Sequence, residues 1–93
     1  MLTQETAEIL GINALGWLAG HDELFPIFQG ATGADVAAIR DGAVSKETLI
    51  AVLDFILMDD DWIKEFCDAH NHDYLHPLMA REILGGGDNP HWT

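Results

Sequence analysis

The order of hydrophobic and polar residues along this chain is typical of helices. No segment alternates with a period of two, and valine, isoleucine and threonine do not cluster between hairpin turns, so strands are not predicted. Residues that cap and stop helices recur along the sequence instead. The pattern predicts an all-α fold, a compact orthogonal bundle of five or six short helices. We expect one domain over residues 1–87 and a flexible tail over residues 88–93.

Two of the predicted helices are almost entirely apolar. The first spans residues 4–19, between a Thr3 cap and a Gly20 stop, and the fourth spans about 46–57 after a Ser45 cap. We expect these two helices at the centre of the bundle. If these helices leave apolar surface uncovered, a second copy of the chain could cover it, so a homodimer is one alternative.

Glycine and charged positions refine these two helices. Gly11 and Gly16 each cost about 1 kcal/mol of helix stability relative to alanine, and close approach of a neighbouring helix would compensate. In the fourth helix, Glu47 and Asp54 share one polar stripe with Asp61. We therefore expect Asp54 to face solvent.

Shorter helices are predicted between the two apolar ones. Asp22 can cap a second helix, which Pro26 limits to one or two turns and Gly30 ends. Residues 32–35 resemble a capping box, which would open a third helix running through Arg40.

Two further helices are predicted towards the end of the chain. The fifth runs from about Asp61 to His70, and the sixth has Pro77 near its first turn and ends at Leu84. Their inward residues are predicted to be Ile63, Phe66, Cys67, His70, Leu78, Ile83 and Leu84.

The chain is strongly acidic. The sequence contains sixteen aspartates and glutamates but only four lysines and arginines, which gives a formal net charge of −12 at pH 7. This charge repels phosphate backbones and anionic lipid headgroups, so the sequence predicts neither a nucleic-acid ligand nor a membrane partner. It attracts basic surfaces, and we expect a protein partner with a basic surface. The alternative explanation is that the acidic residues only make the protein soluble.

Cysteine content and apolar stretches indicate the compartment. The single cysteine, Cys67, cannot form an intrachain disulfide, which fits a reducing environment. The first residues lack the basic stretch and cleavage pattern of a secretory signal. The longest apolar stretch, residues 49–58, is interrupted by Asp54 and is about half the roughly 20 residues that span a bilayer. We expect a soluble cytoplasmic protein.

Three segments of the chain carry a resemblance to a known family. They are ALGWLAG at residues 14–20, FPIFQGATG at residues 25–33 and AVLDFILMDDDWIKEFCD at residues 51–68. The sequence resembles a family of short alphaproteobacterial proteins classed as a domain of unknown function. The resemblance implies a compact helical fold and a bacterial cytoplasmic setting, and it supplies no active-site residues.

An acidic surface with an aromatic residue is predicted at the start of the fifth helix. Adjacent carboxylates project in different directions from a helix, so they favour the positive end of its dipole rather than joint chelation of a metal. A tryptophan ringed by carboxylates can anchor a basic peptide through apolar and cation–π contacts, although Trp62 also fits a partly covered core position. The hypothesis is a noncatalytic protein-interaction module whose partner-binding residues are Asp59, Asp60, Asp61, Trp62, Glu65 and Asp68.

The alternative function uses a different cluster, Cys67, His70, His72 and His76. Thiolate and imidazole groups bind Zn²⁺ or Ni²⁺, and these side chains could meet if the loop after the fifth helix folds back. Their spacing matches no established ligand signature, and Cys67 and His70 also fit core positions. A metal-binding protein or small metalloenzyme is thus the alternative, and no other cofactor is predicted. Whether the chain is an enzyme stays open, and so does a third interpretation, an acidic mimic of nucleic acid.

Overall fold

A computed structural model describes residues 2–33 and 44–85 of the chain. Within these ranges the backbone forms five α-helices and no strand, so the predicted all-α bundle is confirmed. The third predicted helix, which would begin within residues 32–35, lies largely outside the described residues. The tail predicted over residues 88–93 lies wholly outside them. The helices are α1 (Gln4–Ala19), α2 (Leu24–Thr32), α3 (Lys46–Ile56), α4 (Asp60–His70) and α5 (His76–Leu84).

Side-chain caps fix where α1 and α3 begin. The Thr3 hydroxyl accepts a hydrogen bond from the Thr6 amide at 3.1 Å, and the Thr6 hydroxyl accepts one from the Thr3 amide at 2.7 Å. Ser45 accepts from the Thr48 amide at 3.2 Å. These bonds satisfy amide groups that have no partner inside the helix. The bounds predicted for the first helix, and the start predicted for the fourth, are confirmed.

The second helix differs from its prediction at both ends. Asp22 does not cap it; the His21 Nδ1 atom accepts a hydrogen bond from the Leu24 amide at 3.3 Å instead. Pro26 lies in the first turn, where no helical hydrogen bond is lost. The helix runs past Gly30 and ends at Gly33, which has the left-handed φ of 70° that glycine adopts at helix ends.

Three helices, rather than two, form the centre of the bundle. The first helix packs most extensively against α5 and then against α3, and α3 also packs against α5. The sequence analysis missed the central place of α5 because this helix is only nine residues long. The side chains buried among the three helices include Leu10, Ala14, Leu18, Val52, Leu53, Ile56, Ala80 and Leu84.

Only one of the two glycines in α1 permits a close helix approach. A Cβ atom placed on Gly11 would lie 3.2 Å from the Leu49 Cβ atom of α3, so the predicted approach is confirmed there. Gly16 is exposed, and a Cβ atom on it would meet nothing within 4 Å. The same expectation is wrong at Gly16, because this residue lies on the outer face of α1.

Candidate functional site

The fourth helix presents a sharp division between a buried face and a charged face. Phe66 and Cys67 are fully buried, whereas the carboxylates of α4 point outwards. A helix at the surface of a bundle takes this form when its apolar stripe packs on the core. The acidic face of α4 is defined here by its exposed residues Asp60, Asp61, Glu65 and Asp68.

Asp59 holds the start of this helix. Its carboxylate accepts a hydrogen bond from the Asp61 amide at 2.8 Å, which makes Asp59 the N-cap. The predicted start at about Asp61 is thus one residue late. Asp60 and Asp61 follow in the first turn, where negative charge is stabilised by the helix dipole.

Trp62 belongs partly to the core. Its ring stacks on Phe55 of α3 with a centroid distance of 4.9 Å and an interplanar angle of 15°. The side chain is half-buried, so part of it remains open to solvent. The contact holds the ring against the core at the edge of the acidic face.

Glu65 and Asp68 each have a local polar partner. The Glu65 carboxylate lies 3.4 Å from the His21 Nε2 atom, an ion pair when that imidazole is protonated. Asp68 accepts a hydrogen bond from the Tyr74 hydroxyl at 2.8 Å. This bond to a carboxylate raises the pKa of Tyr74, and partial desolvation and the Asp68 charge raise it further.

Two of the three predicted histidine ligands, His70 and His72, lie against Phe66, and the third, His76, lies against His72. Ring centroids are 5.1 Å apart for Phe66 and His70, 5.4 Å for Phe66 and His72, and 6.2 Å for His72 and His76. His70 was predicted to point inwards, which is wrong: it is exposed in the last turn of α4, with its ring against Phe66. In the part of the chain that the structure describes, no three His, Cys, Asp or Glu side chains are arranged to hold a metal ion.

Burial opposes the ionised forms of two of these side chains, Cys67 and His72. The pKa of Cys67 is raised to about 11, first by burial and then by the charges of Asp68 and Asp73. Its thiol donates to the Asp73 carbonyl oxygen at 3.5 Å. The pKa of His72 is lowered by burial and by the charges of His76 and His70, and its Nε2 atom is buried without a hydrogen-bond partner. The cluster therefore favours a neutral thiol and a neutral imidazole.

The segment between α4 and α5 is held by its own hydrogen bonds. Asn71 ends α4 with a left-handed φ of 59°, and the His72 amide donates to the Cys67 carbonyl at 2.9 Å. The Asp73 carboxylate accepts from the Leu75 amide at 2.9 Å. These bonds place Tyr74 and Leu75 opposite the first turns of α4.

An apolar groove, missed by the sequence analysis, lies between α4 and the start of α5. Its volume is about 250 Å³. Leu75 is 64% exposed and Leu78 is 46% exposed, which contradicts the prediction that Leu78 points inwards. We call it the Leu75 groove, and it is lined by Leu57, Asp60, Ile63, Lys64, Tyr74, Leu75 and Leu78.

The helix register explains the exposure of Leu78. Pro77 is buried in the first turn of α5 and shares the inner face with Ala80 and Leu84. The next residue, Leu78, is rotated by about 100° from Pro77 and so faces outwards. Leu75 and Leu78, on either side of the buried Pro77, were the signal in the sequence, but only the register of the helix shows that both are exposed.

None of the helices in the described ranges is long and apolar enough to cross a membrane. Comparison with curated proteins and with solved structures found no match to the chain. A family model, described as protein of unknown function (DUF3572), matches residues 4–87. This range includes all five helices, the acidic face of α4 and the Leu75 groove, and it confirms the resemblance to a family of unknown function. The chain therefore belongs to the DUF3572 family of proteins of unknown function.

Proposed function

We propose that this protein is a noncatalytic protein-interaction module that binds the basic surface of a partner through the acidic face of α4. The observation that carries the proposal is the exposure of four carboxylates on a helix that packs on the core through the fully buried Phe66 and Cys67. Asp59, at the N-cap, and the half-buried Trp62 lie at the edge of the same face. Lys64 is the one cation within α4, so the face keeps a negative potential that attracts a basic partner.

The state of the reactive groups supports the noncatalytic part of the proposal. A pKa of about 11 keeps the Cys67 thiol protonated at neutral pH, and a protonated thiol is a poor nucleophile. Ser45, the single serine of the chain, accepts the Thr48 amide as a helix cap. Within the residues that the structure describes, the Cys67 thiol is bonded to the Asp73 carbonyl and the Ser45 hydroxyl to Thr48, and neither bond is to the base that nucleophilic catalysis requires.

The proposal includes a cytoplasmic location and excludes nucleic acid as a ligand. The lone cysteine is free and buried, as is common where disulfides do not form. A formal net charge of −12 opposes binding to phosphate backbones.

A pull-down with the full chain tests the proposal. The wild-type protein is compared with Asp60→Asn/Asp61→Asn and with Glu5→Gln/Glu8→Gln, a control that removes the same charge from α1. We expect wild type and control to recover the same specific partner, and the α4 variant to lose it. Raising sodium chloride from about 0.05 to 0.5 M should also weaken recovery, because exposed charges are screened. Recovery of salt-insensitive background alone, or equal loss from both variants, would contradict the proposal.

A metal-binding protein is the second candidate function, favoured by the contacts of the His72 ring with those of His70 and His76. Bringing Cys67 into such a site would require loss of a proton from a thiol whose pKa is raised to about 11. Elemental analysis of the untagged protein tests this function. Metal below one equivalent per chain, unchanged in His70→Ala and His72→Ala, would end it.

A further inference from the structure

We propose that the Leu75 groove receives the apolar side chains of a basic amphipathic helix of the partner. The inference rests on the proposed function, and it adds the place where the partner inserts and the form of its binding segment. The acidic face of α4 would then attract the partner, and the groove would hold it.

Exposed apolar side chains are concentrated at this groove. Tyr74 is 47% exposed, Leu75 64% and Leu78 46%, and the nearby Met58, just after Leu57, is 75% exposed. Neighbouring apolar side chains that are exposed to water are typical of binding sites. A partner that covers them removes apolar surface from water, and this lowers the free energy of the complex relative to the separate proteins. The groove therefore offers a driving force that the carboxylates alone do not supply.

The shape of the groove favours protruding side chains over a small molecule. Its volume of about 250 Å³ is below the range of roughly 300–1,000 Å³ that is usual for small-ligand pockets, and the groove is open along one side. One wall comes from α4 and the other from residues 74–78. Helices that bind proteins commonly lay one apolar face into such a groove, with anchors spaced by three or four residues.

The walls of the groove are already fixed. The Tyr74 hydroxyl is bound to Asp68 at 2.8 Å, and the Leu75 amide is bound to the Asp73 carboxylate at 2.9 Å. The Leu75 carbonyl accepts the Met79 amide at 3.1 Å as α5 begins. A site held in this way loses little conformational entropy when it binds.

Charge decides between a basic partner and a second copy of this chain. Asp60 and Lys64 line the groove with opposite charges, and the further carboxylates Asp61 and Asp68 lie on the same helix, so the surroundings of the groove are acidic on balance. Lysine or arginine residues flanking the apolar anchors would meet these carboxylates. A second copy would bring the same carboxylates to the interface, and two chains of formal charge −12 repel each other.

Two synthetic peptides of about 16 residues, built from leucine, lysine and alanine, serve as probes. One places its leucines on a single helical face, and the other has the same composition in scrambled order. Each is titrated into the full-length ¹⁵N-labelled chain and followed by NMR. We expect the amphipathic peptide to shift amides around Ile63, Tyr74 and Leu78 and to bind more tightly than the scrambled peptide.

Paired variants assign the binding to the groove. Leu75→Gln/Leu78→Gln should raise the Kd for the amphipathic peptide roughly tenfold, since central apolar anchors dominate binding. Ile9→Gln/Ile12→Gln is the control, because these residues of α1 are 50% and 54% exposed and do not line the groove. Its Kd should stay within about twofold of wild type, and circular dichroism verifies that both variants fold.

The results separate this inference from the proposed function. Equal affinity for the two peptides, or no binding of either, would overturn the groove as the docking site. The salt-sensitive pull-down would still decide the proposed function. Self-association that Leu75→Gln/Leu78→Gln abolishes would assign the groove to a second copy and would also overturn the inference.

Discussion

Arg81 of α5 is paired with Asp54 of α3 across the outside of the bundle. The guanidinium Nε atom donates to one Asp54 carboxylate oxygen at 2.6 Å, and an Nη atom lies 3.4 Å from the other. Both side chains remain partly exposed, at 33% and 52%. The pair joins two of the three central helices at a position where water and salt still reach the charges.

The pair of Arg81 and Asp54 should contribute little to stability. Arg81→Gln and Asp54→Asn should each lower the free energy of unfolding by up to about 1 kcal/mol, because exposed ion pairs are weak. The loss should shrink in about 1 M salt, which screens the charges. Urea unfolding measures both effects, and Lys64→Gln, which removes a charge from α4, is the control. A loss of several kcal/mol would show that the pair is more shielded from water than the structure indicates.

The two glycines of α1 should respond differently to alanine. Gly16→Ala should raise the free energy of unfolding by about 1 kcal/mol, because the exposed site has room for a methyl group and alanine favours the helix. Gly11→Ala should gain clearly less, since its Cβ atom would press on Leu49 at 3.2 Å. Thermal or urea unfolding compares the two variants. Equal gains would mean that α1 and α3 separate at no cost.

Tyr74 should titrate above the ordinary tyrosine pKa. It is the one tyrosine in the chain, so ultraviolet difference absorbance follows it directly. Asp68→Asn should lower the pKa of Tyr74 towards 10.0, because the hydrogen bond to a carboxylate is the main cause of the raised pKa. Asp61→Asn removes the same charge from α4 and serves as the control. The prediction fails if both variants titrate alike.

Stability should decrease on mild acidification through His72. Its pKa in the folded protein is lowered from 6.5, so below pH 6.5 the unfolded chain binds more protons than the folded chain. The contribution of neutral His72 is therefore full above pH 6.5 and is lost between 6.5 and the lowered folded value. NMR titration should place the His72 pKa below 6.5, and urea unfolding at about pH 7 and about pH 5 should show the loss. A folded pKa at or above 6.5 would contradict this prediction.

The Cys67 thiol should resist alkylation while the chain is folded. A pKa of about 11 leaves about a hundredfold less thiolate than the ordinary cysteine pKa of 9.0, and burial blocks access as well. Mass spectrometry after iodoacetamide treatment should show labelling only when urea unfolds the chain. Rapid labelling of native protein would mean that the segment after Asn71 opens readily.

Local chemistry made much of this fold predictable. Thr3 and Ser45 cap α1 and α3 through contacts within three residues, and such contacts can be inferred from sequence. The end predicted at Gly30 was wrong because glycine can end a helix but does not have to. The residue that ends α2 with a left-handed φ is Gly33.

The candidate site was less predictable because it is tertiary. Asp60 and Leu75 line one groove only because the segment around Asn71 folds back along α4. The acidic residues of α4 could be identified from composition and spacing. The apolar surface beside them depends on which face of α5 is turned towards the core. The sequence shows that Pro77 lies in the first turn, but neither charge nor periodicity determines this orientation.

The packing of α1 against α5 has a consequence for biosynthesis. These are the first and the last helices of the described chain, and they share its most extensive helix contact. While a ribosome makes the chain, Leu10 and Leu18 of α1 are synthesised well before Ala80 and Leu84 of α5. The core between these two helices therefore cannot form until α5 has been made. Until α5 has been synthesised, α1 lacks its most extensive contact, and in this interval chaperones would have the most apolar surface to bind.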